Sequence, residues 1–361
     1  MHLLKRFLVL LTVSQPFTST VTIARQTKRS RRQIVAENDS GHQLWPMPIY
    51  LVLSDSARAT EHVPEYISQM IEHYNKYTCI VFQVVTQPPA NTQYMLATAD
   101  DNSCASSIGK RDKYANGPQI VHVGCSSYKG LIHEFMHGLG VYHETQRRDS
   151  ENVLKFIKDN WSNGADAYYR KSSNARHIGP YDIGSAMHPG REQESVNRSI
   201  GAFTTKDPLL KDSAGLARDF SFWDTYRLND AYCKGMCKEK LECGEQGYQH
   251  PKDCLKCVCP NGIGGANCND PVFDPGHCGK LLHAQRKWQR VTIRAQRQPP
   301  YPDQCVFLFQ ASNNNKVQLE MRNIQLEESS GADRCSLENV EVRTSMFAST
   351  TTAYDHLRLP Q

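Results

Sequence analysis

The chain has 361 residues, of which 39% are hydrophobic and 22% are charged, and this composition is ordinary for a globular protein with two or three domains. Its formal net charge of +5 is mild, and part of it comes from a basic cluster near the N-terminus. A solvated surface explains such a charge, so the composition argues against a nucleic-acid-binding protein.

The first twenty residues have the pattern of a secretory signal peptide. Lys5 and Arg6 precede an apolar run from Phe7 to Val13, which is too short to cross a bilayer as a permanent anchor. No later stretch of the sequence approaches the roughly 18 apolar residues that a membrane helix requires. We therefore expect residues 1–20 to be removed, and the mature protein to be soluble, secreted and without a membrane anchor.

The basic run KRSRR follows the apolar segment. In a cytosolic protein such a run serves as a nuclear localisation signal, whereas behind a signal peptide it predicts cleavage by a proprotein convertase. Cleavage after Arg32 leaves a short propeptide, residues 21–32, and makes Gln33 the new amino terminus.

The segments up to residue 233 alternate between strand and helix patterns. The predicted strands are PIYLVLSD, CIVFQVV, QYMLATA and QIVHVGC, which are short runs of β-branched and aromatic residues. Apolar residues at helical spacing predict helices in PEYISQMIEHYNKYT, in KGLIHEFMHGLG and in FWDTYRLNDAYC. We expect the second of these helices to end at Gly138 or Gly140.

Beyond residue 233 the residue pattern of the sequence changes twice. Residues 237–268 form a cysteine lattice with the spacing C-x5-C-x10-C-x2-C-x-C-x8-C. After Cys278 the segments KWQRVTIRAQ, QCVFLFQAS and KVQLEMRNI alternate between apolar and polar residues, which predicts antiparallel strands with one solvated face.

Thirteen cysteines indicate an oxidising compartment, and their odd number leaves one thiol unexplained. They fall into groups of four, six and three, which span residues 79–233, 237–268 and 278–335. The sequons predict possible glycosylation at Asn38, Asn160 and Asn197.

The segment HEFMHGLGVYH has the spacing of a catalytic zinc site. On a helix His133 and His137 project from the same face, where two imidazoles bind one metal ion. Glu134 lies beside the metal, as a carboxylate must in order to take a proton from metal-bound water. Gly140 lets the chain leave the helix and return His143 as the third ligand, so the fourth position stays open. The alternative, a set of hydrogen-bonded core histidines, does not require this glycine.

The longer segment HEFMHGLGVYHETQRRD resembles the signature HExxHxxGFxHExxRxD of the astacin family of metzincin zinc endopeptidases, of the nematode type. The agreement extends to Glu144, Arg147 and Asp149, and the resemblance covers about residues 33–233. The departures from the family pattern are Val141, Thr145 and Ser150. The resemblance implies an α+β metzincin catalytic domain, with one zinc ion in a cleft between two subdomains.

A metzincin also carries a methionine turn beneath the metal, and YDIGSAMHPG resembles it with Met187 in that place. The family pattern continues with a tyrosine that ligates zinc and then steadies the oxyanion, but this chain has Pro189 there. Loss of one such donor typically lowers the rate about 10²–10³-fold. We therefore expect four-coordinate zinc and either a weakened protease or one that uses another donor.

The resemblance further implies disulfides and two appended modules. In the catalytic domain the implied pairs are Cys79–Cys233 and Cys104–Cys125. Residues 234–269 resemble an epidermal-growth-factor (EGF) module, and residues 278–361 resemble a CUB β-sandwich, either whole or truncated. The pairs implied for these modules are Cys237–Cys254, Cys243–Cys257, Cys259–Cys268 and Cys278–Cys305. Cys335 has no partner in this scheme, so it is free or intermolecular unless the module is truncated. A zinc ribbon is the less favoured alternative for CLKCVC.

Latency is expected to differ from that of the family, whose propeptide aspartate occupies the zinc in an FxGD motif. The segment before Arg32 has no such motif and no aspartate. In the family Glu144 meets the freed amino terminus, which here is Gln33. The alternative is that Glu144 is an ordinary polar residue.

The sequence as a whole predicts a secreted zinc-dependent endopeptidase that cleaves extracellular proteins or peptides. Glu134 takes a proton from the zinc-bound water and passes it to the leaving amine. The CUB-like module is expected to bind matrix, protein or carbohydrate. The alternative is a catalytically weak or silent adhesion or scaffold protein that contains zinc, which Pro189 favours and Glu134 opposes.

Overall fold

The computed structural model describes most of residues 43–268 and shorter parts on either side. The described residues are 7–14, 34–35, 43–112, 117–125, 127–172, 175–211, 213–244, 247–260, 263–268, 270–271, 279–293, 306–311, 316–322, 340–342 and 352–354. In these ranges, no helix has both the length and the apolar character that a membrane span requires.

A five-stranded sheet forms the first half of the domain. Its strands are β3 (Ile49–Leu53), β4 (Phe82–Val84), β5 (Tyr94–Thr98), β6 (Cys104–Ser106) and β7 (Pro118–Val123). Their order is β4-β3-β5-β7-β6, and all neighbours are parallel except β6, which pairs antiparallel with β7 at the edge. The strand predictions for β3, β4, β5 and β7 are confirmed, whereas β6 was not predicted.

In the described part of the chain, five α-helices accompany the sheet. They are α1 (Asp55–Ala59), α2 (Val63–Tyr77), α3 (Tyr128–Gly138), α4 (Asp166–Tyr169) and α5 (Phe222–Tyr232). The predictions of α2, α3 and α5 are confirmed. In α2 a proline stands in the first turn, and Ile67, Met70 and Tyr74 are buried on one face.

The helix α3 carries two of the predicted ligands, and its two ends are defined by local chemistry. At its start the Ser127 hydroxyl accepts a hydrogen bond from the Gly130 amide. At its end Gly138 is the last helical residue, and Gly140 follows with a φ of 97°. This left-handed conformation is one that glycine adopts without steric cost, so the chain reverses after the helix.

Two hydrophobic cores flank α3. The larger core holds one face of the sheet, α2, α3 and the apolar side of α5, and it includes Leu139, Val141 and Met187. The smaller core is built around Leu154, Tyr169 and Phe203.

Short strands complete the domain. They are β2 (Ile34–Val35), which pairs with β9 (Ala175–Arg176), and β8 (Leu154–Phe156), which pairs with β10 (Phe203–Thr205). The fully buried Ile34 also bridges to Val141, directly beside the predicted zinc motif.

Disulfides join distant parts of the described chain. Cys79 pairs with Cys233, which ties the end of α2 to the end of α5. Cys104 pairs with Cys125, which ties the edge strand β6 to the loop before α3. The remaining pairs in the described ranges are Cys237–Cys254, Cys243–Cys257 and Cys259–Cys268. These five are the pairs that the resemblance implies; Cys278, Cys305 and Cys335 lie outside the described residues.

The cysteine lattice packs against the helical side of the domain. Its strands are β11 (Tyr248–Gln249), β12 (Cys257–Val258), β13 (Ile263–Gly264) and β14 (Asp270–Pro271). The Tyr248 ring lies 5.0 Å from that of Tyr226 and 5.3 Å from that of Phe222, measured between centroids. Asn229 in α5 donates a hydrogen bond to the Tyr248 hydroxyl at 3.3 Å.

The C-terminal part contributes further strands. They are β15 (Gly279–His283), β16 (Gln289–Ile293), β17 (Val306–Gln310), β18 (Lys316–Arg322), β19 (Val340–Val342) and β20 (Thr352–Tyr354). The three predicted strands, β16, β17 and β18, are confirmed. The antiparallel prediction is wrong for β17, which pairs in parallel with β15. The chain between these two strands is long enough for the crossover that parallel pairing requires.

The N-terminal segment contains strand β1 (Phe7–Ser14), which pairs antiparallel with β16 and β18. Its removal as part of a signal peptide stays a prediction. The predicted cleavage site at Arg32, the new terminus Gln33 and the sequon Asn38 lie outside the described residues.

The sequon at Asn160 occupies a site that does not suit a glycan. Asn160 is 8% exposed, and its side-chain nitrogen donates hydrogen bonds to the carbonyls of Asn197 and Gly201, both at 2.9 Å. A glycosidic bond would need one of these protons and the space around it. The folded domain is therefore incompatible with the glycosylation predicted at Asn160, whereas Asn197 is exposed.

Candidate metal centre

The three predicted histidines come together. Nε2 of His143 lies 3.1 Å from Nε2 of His133 and 3.1 Å from Nε2 of His137. Within the described residues this is the single cluster of at least three His, Cys, Asp or Glu side chains that could hold a metal ion. Two of the rings come from successive turns of α3, and the third returns after the turn at Gly140.

The other ring nitrogen of each histidine faces a backbone carbonyl. Nδ1 of His133 lies 2.9 Å from the Ala186 oxygen, and Nδ1 of His137 lies 2.8 Å from the Val141 oxygen. Nδ1 of His143 lies 3.2 Å from the oxygen of Ala167. A carbonyl accepts only from an N–H, so each neutral ring carries its proton on Nδ1 and presents a lone pair at Nε2.

Burial keeps these rings neutral. It lowers the pKa of His137 to about 4, and together with neighbouring rings it lowers the pKa of His133 and His143 well below the usual value. Three lone pairs that face one another within hydrogen-bond distance repel unless a cation lies between them. The donor set therefore fits one zinc ion, and the three histidines are positioned to bind it.

Glu134 is the neighbour of the first ligand on α3 and is 6% exposed. Burial raises the pKa of its carboxyl group to about 8. A carboxyl group with a raised pKa beside a metal site has the chemistry of a proton acceptor and donor.

The loop beneath the histidines contains Met187, which is fully buried. The Glu144 amide donates a hydrogen bond to the Met187 carbonyl at 3.0 Å. The carboxylate of Asp224 holds the same loop from α5, because it accepts from the Ser185 hydroxyl at 2.6 Å and from the Ala186 amide at 2.8 Å. Asp224 was not predicted from the sequence, although its capping box with Ser221 is a detectable helix-start signal.

Glu144 receives a counter-charge from Arg227. Its Oε2 lies 3.0 Å from Nη1 of Arg227, and Nη2 of the same guanidinium donates to its Oε1 at 3.1 Å. The Asp182 amide also donates to Oε1, at 2.6 Å, and Nε of Arg147 lies 3.5 Å away. The expected partner Gln33 lies outside the described residues, and Arg227 was not predicted from the sequence.

The surroundings of Pro189 are closely packed. Nε2 of the buried His188 lies 2.7 Å from the Tyr181 hydroxyl, and its Nδ1 lies 2.8 Å from the Pro189 oxygen. The ammonium of Lys129 donates to the Gly215 carbonyl at 2.8 Å and to the His188 carbonyl at 3.4 Å. These contacts fix the chain at the position where the family pattern places a tyrosine.

A second tyrosine, Tyr168, lies beside the third ligand. Its ring stacks on the imidazole of His143 with 4.5 Å between centroids and 16° between planes. Burial raises the pKa of its hydroxyl, and the negative charges of Glu194 and Glu134 add to the effect. Tyr168 was not predicted as a site residue, because nothing in the local sequence pattern marks it.

Comparison with known proteins agrees with this site. The family described as Astacin, a family of peptidases, matches the chain over residues 37–233. The chain belongs to the astacin family. It is similar to the zinc metalloproteinase nas-36 of Haemonchus contortus, with 30% identity over 296 residues, which cover 79% of this chain and 46% of that protein. It is also similar to nas-36 of Caenorhabditis elegans, with 30% identity over 312 residues, which cover 82% of this chain and 48% of that protein.

Two further matches have lower identity to this astacin-family chain. The zinc metalloproteinase nas-27 of Caenorhabditis elegans is 25% identical over 351 residues, which cover 91% of this chain and 78% of that protein. Among solved structures, high choriolytic enzyme 1, a hatching-enzyme zinc protease of Oryzias latipes, matches with 21% identity and a TM-score of 0.43. That match covers 60% of this chain and 97% of the other. The chain spans about half the length of the nas-36 relatives that it matches.

Proposed function

We propose that this protein is a zinc-dependent endopeptidase. The observation that carries the proposal is the convergence of three imidazole Nε2 atoms, on two buried rings and one half-buried ring, with the buried Glu134 next to the first of them on α3, in a chain of the astacin family. His133, His137 and His143 would hold the zinc ion. When bound, zinc acts as a Lewis acid that lowers the pKa of a water and polarises a peptide carbonyl.

Glu134 is the proton carrier of the proposed reaction. Because it follows the first ligand on α3, its carboxylate would stand beside the metal site, and it is not one of the three residues positioned to hold the ion. It accepts a proton from the attacking water and delivers that proton to the amine that leaves when the peptide bond breaks. Its burial excludes bulk water from this transfer.

The experiment compares the purified protein with the variant Glu134→Ala on casein and on peptides whose product ends are mapped. We expect the variant to keep one zinc per chain and to lose about 10²–10⁴ in kcat. The matched control is Glu151→Ala, since Glu151 is exposed and follows the zinc motif.

The result that would overturn the proposal is equal, negligible cleavage by the zinc-loaded protein and by Glu134→Ala. That outcome would favour the alternative, a zinc-containing scaffold or adhesion protein. The family match supports the enzyme, and an ion that only stabilises the fold does not require a carboxylate at position 134.

The domain organisation is part of the proposal. Residues 1–20 act as a signal peptide and 21–32 as a short propeptide, and 33–233 form the catalytic domain. Residues 234–269 form an EGF-like module, which the disulfide order first–third, second–fourth and fifth–sixth supports. Residues 278–361 form a CUB-like module that binds matrix, protein or carbohydrate. Mass determination of the secreted product tests the two cleavages.

The site of action is proposed to be extracellular, and the substrates are proteins or peptides found there. The disulfides support an oxidising compartment. A glycan is proposed at the exposed Asn197, and loss of its mass in Asn197→Gln tests it.

A further inference from the structure

A hydroxyl group is missing from the site at residue 189, and another tyrosine stands nearby. Pro189 has neither a hydroxyl nor an N–H with which to stabilise an oxyanion. Tyr168 is half-buried and stacks on His143, one of the three histidines positioned to bind zinc. Its phenol is therefore a candidate for the donor role that Pro189 cannot fill.

The backbone around Tyr168 is held in place on both sides of the peptide group. The Ala167 carbonyl lies 3.2 Å from Nδ1 of His143, and the Tyr168 carbonyl accepts from the Thr145 hydroxyl at 2.6 Å. The next residue, Tyr169, is buried in the smaller core, and its hydroxyl donates to the Gln193 carbonyl. These contacts lock α4 against the third ligand, so the ring has little freedom to move away.

The direction of the ring follows from the same contacts. The backbone of α4 lies on the Nδ1 side of the His143 ring, whereas Nε2, on the opposite side, faces the other two histidines. A tyrosine that starts on the Nδ1 side and lies parallel to the imidazole extends its hydroxyl toward the Nε2 side.

We propose that Tyr168 is a catalytic residue whose hydroxyl donates a hydrogen bond to the substrate carbonyl oxygen as that carbon becomes tetrahedral. The step forms no covalent bond to Tyr168 and moves no proton from it. The inference rests on the proposed endopeptidase function. It assigns the hydrogen-bond donor role to the phenol of Tyr168, because Pro189 has no hydroxyl or N–H to donate.

The first experiment removes only the hydroxyl, with Tyr168→Phe in the zinc-loaded protein. Its matched control is Tyr94→Phe, at the half-buried start of β5. We expect a loss of about 10²–10³-fold in kcat with KM, zinc content and melting temperature unchanged. A phosphinic peptide, which presents a tetrahedral anion, should also bind Tyr168→Phe more weakly by a similar factor, measured by calorimetry.

Two results would overturn the assignment. One is that Tyr168→Phe keeps the kcat of the wild type and its affinity for the phosphinic peptide. The other is a parallel loss of zinc, which would make Tyr168 only a support for His143. Failure of the proposed function looks different, because the wild-type, zinc-loaded protein would then neither cleave peptides nor bind the phosphinic peptide.

A second experiment restores the hydroxyl at the other position. Pro189→Tyr is made in two backgrounds, the wild type and Tyr168→Phe. We expect the factor by which it raises kcat to be at least 10 times larger in Tyr168→Phe, because two donors that serve one oxygen are not additive. Equal factors in both backgrounds, with zinc content retained, would show that the two hydroxyls are independent and would overturn the proposal.

Discussion

Glu144 connects the zinc motif to the last helix of the domain through a buried ion pair. Both it and Arg227 are fully buried, and the guanidinium also donates to the backbone carbonyls of Ile178 and Pro180. A buried pair is weak evidence of net stabilisation, but removal of one partner leaves an uncompensated charge. Arg227 thus holds together the turn after His143 and the segment before the methionine loop.

Replacement of Arg227 by alanine should therefore lower the free energy of unfolding by about 3–5 kcal/mol. Urea unfolding followed by fluorescence measures this change. The control is Lys256→Ala, which removes an exposed ion pair with Asp253 and should leave stability unchanged. Similar small effects of both variants would contradict the role assigned to Arg227.

Asp182 makes the stability of the buried cluster around Glu144 and Arg227 depend on pH. Burial raises the pKa of its carboxyl to about 7, with the charge of Asp224 adding to the effect and that of Arg227 opposing it. Glu144 also faces the group and raises the pKa further. Because the folded pKa lies above the unfolded one, the native state binds more protons between these two values.

The stabilising contribution of Asp182 is thus complete below about pH 4 and is lost as the pH rises through about 7. We expect the wild type to lose stability relative to Asp182→Asn over this interval, by at most about 1.4 kcal/mol per pH unit. Thermal unfolding between pH 4 and 8 measures the difference. Asp159→Asn, at an exposed position, serves as the control; a constant difference between the wild type and Asp182→Asn would refute the assignment.

Among the elements, β7 and α3 are joined by a loop that passes very close to the backbone of Asp101. A Cβ atom on Gly124 would lie 1.7 Å from the carbonyl oxygen of Asp101. Only glycine lets this loop pass the chain next to β6, where the Cys104–Cys125 disulfide then closes. The start of the zinc helix is positioned by this crossing.

Gly124→Ala should consequently lower the free energy of unfolding by about 1–3 kcal/mol or more, because backbone must move to accept the methyl group. Chemical unfolding measures the loss. Gly117→Ala is the matched control, since nothing lies within 4 Å of the Cβ that it would add. If the two variants have equal stability, the crossing at Gly124 is not constrained.

Within the molecule as a whole, the metal centre joins the two hydrophobic cores. Two of its histidines project from α3, which belongs to the larger core, and the third stacks on Tyr168, which packs against the smaller core. A zinc ion that binds all three connects the cores and stabilises the native state by mass action.

Removal of zinc by a chelator should therefore lower the melting temperature, and added zinc should restore it. At a free concentration of 1,000 times Kd the stabilisation is about 4 kcal/mol. Differential scanning calorimetry measures the shift. The response should vanish in His133→Ala and persist in His122→Ala, on β7 outside the cluster. An unchanged melting temperature on removal of zinc would contradict the connecting role of the ion.

Much of the fold could be predicted because its signals are local. Apolar spacing marks α2 and α3, and Gly140 marks the exit from the zinc helix. By contrast β6 is only three residues long and has no apolar alternation, since its place is set by pairing with β7 and by a disulfide. The four-residue α4 is equally short, so no periodicity reveals it.

The histidine spacing was sufficient to predict the ligand set, because an i, i+4 pair on a helix and a glycine turn dictate where the rings project. The partners of that set come from remote parts of the chain: Arg227 is 83 residues from Glu144, and Asp224 is 39 residues from Ser185. The stacking of Tyr168 on His143 likewise depends on how α4 packs. Local chemistry therefore determined the metal chemistry of this protein, whereas long-range packing decided which charges, carbonyls and rings surround it, since burial brings together groups that no sequence interval relates.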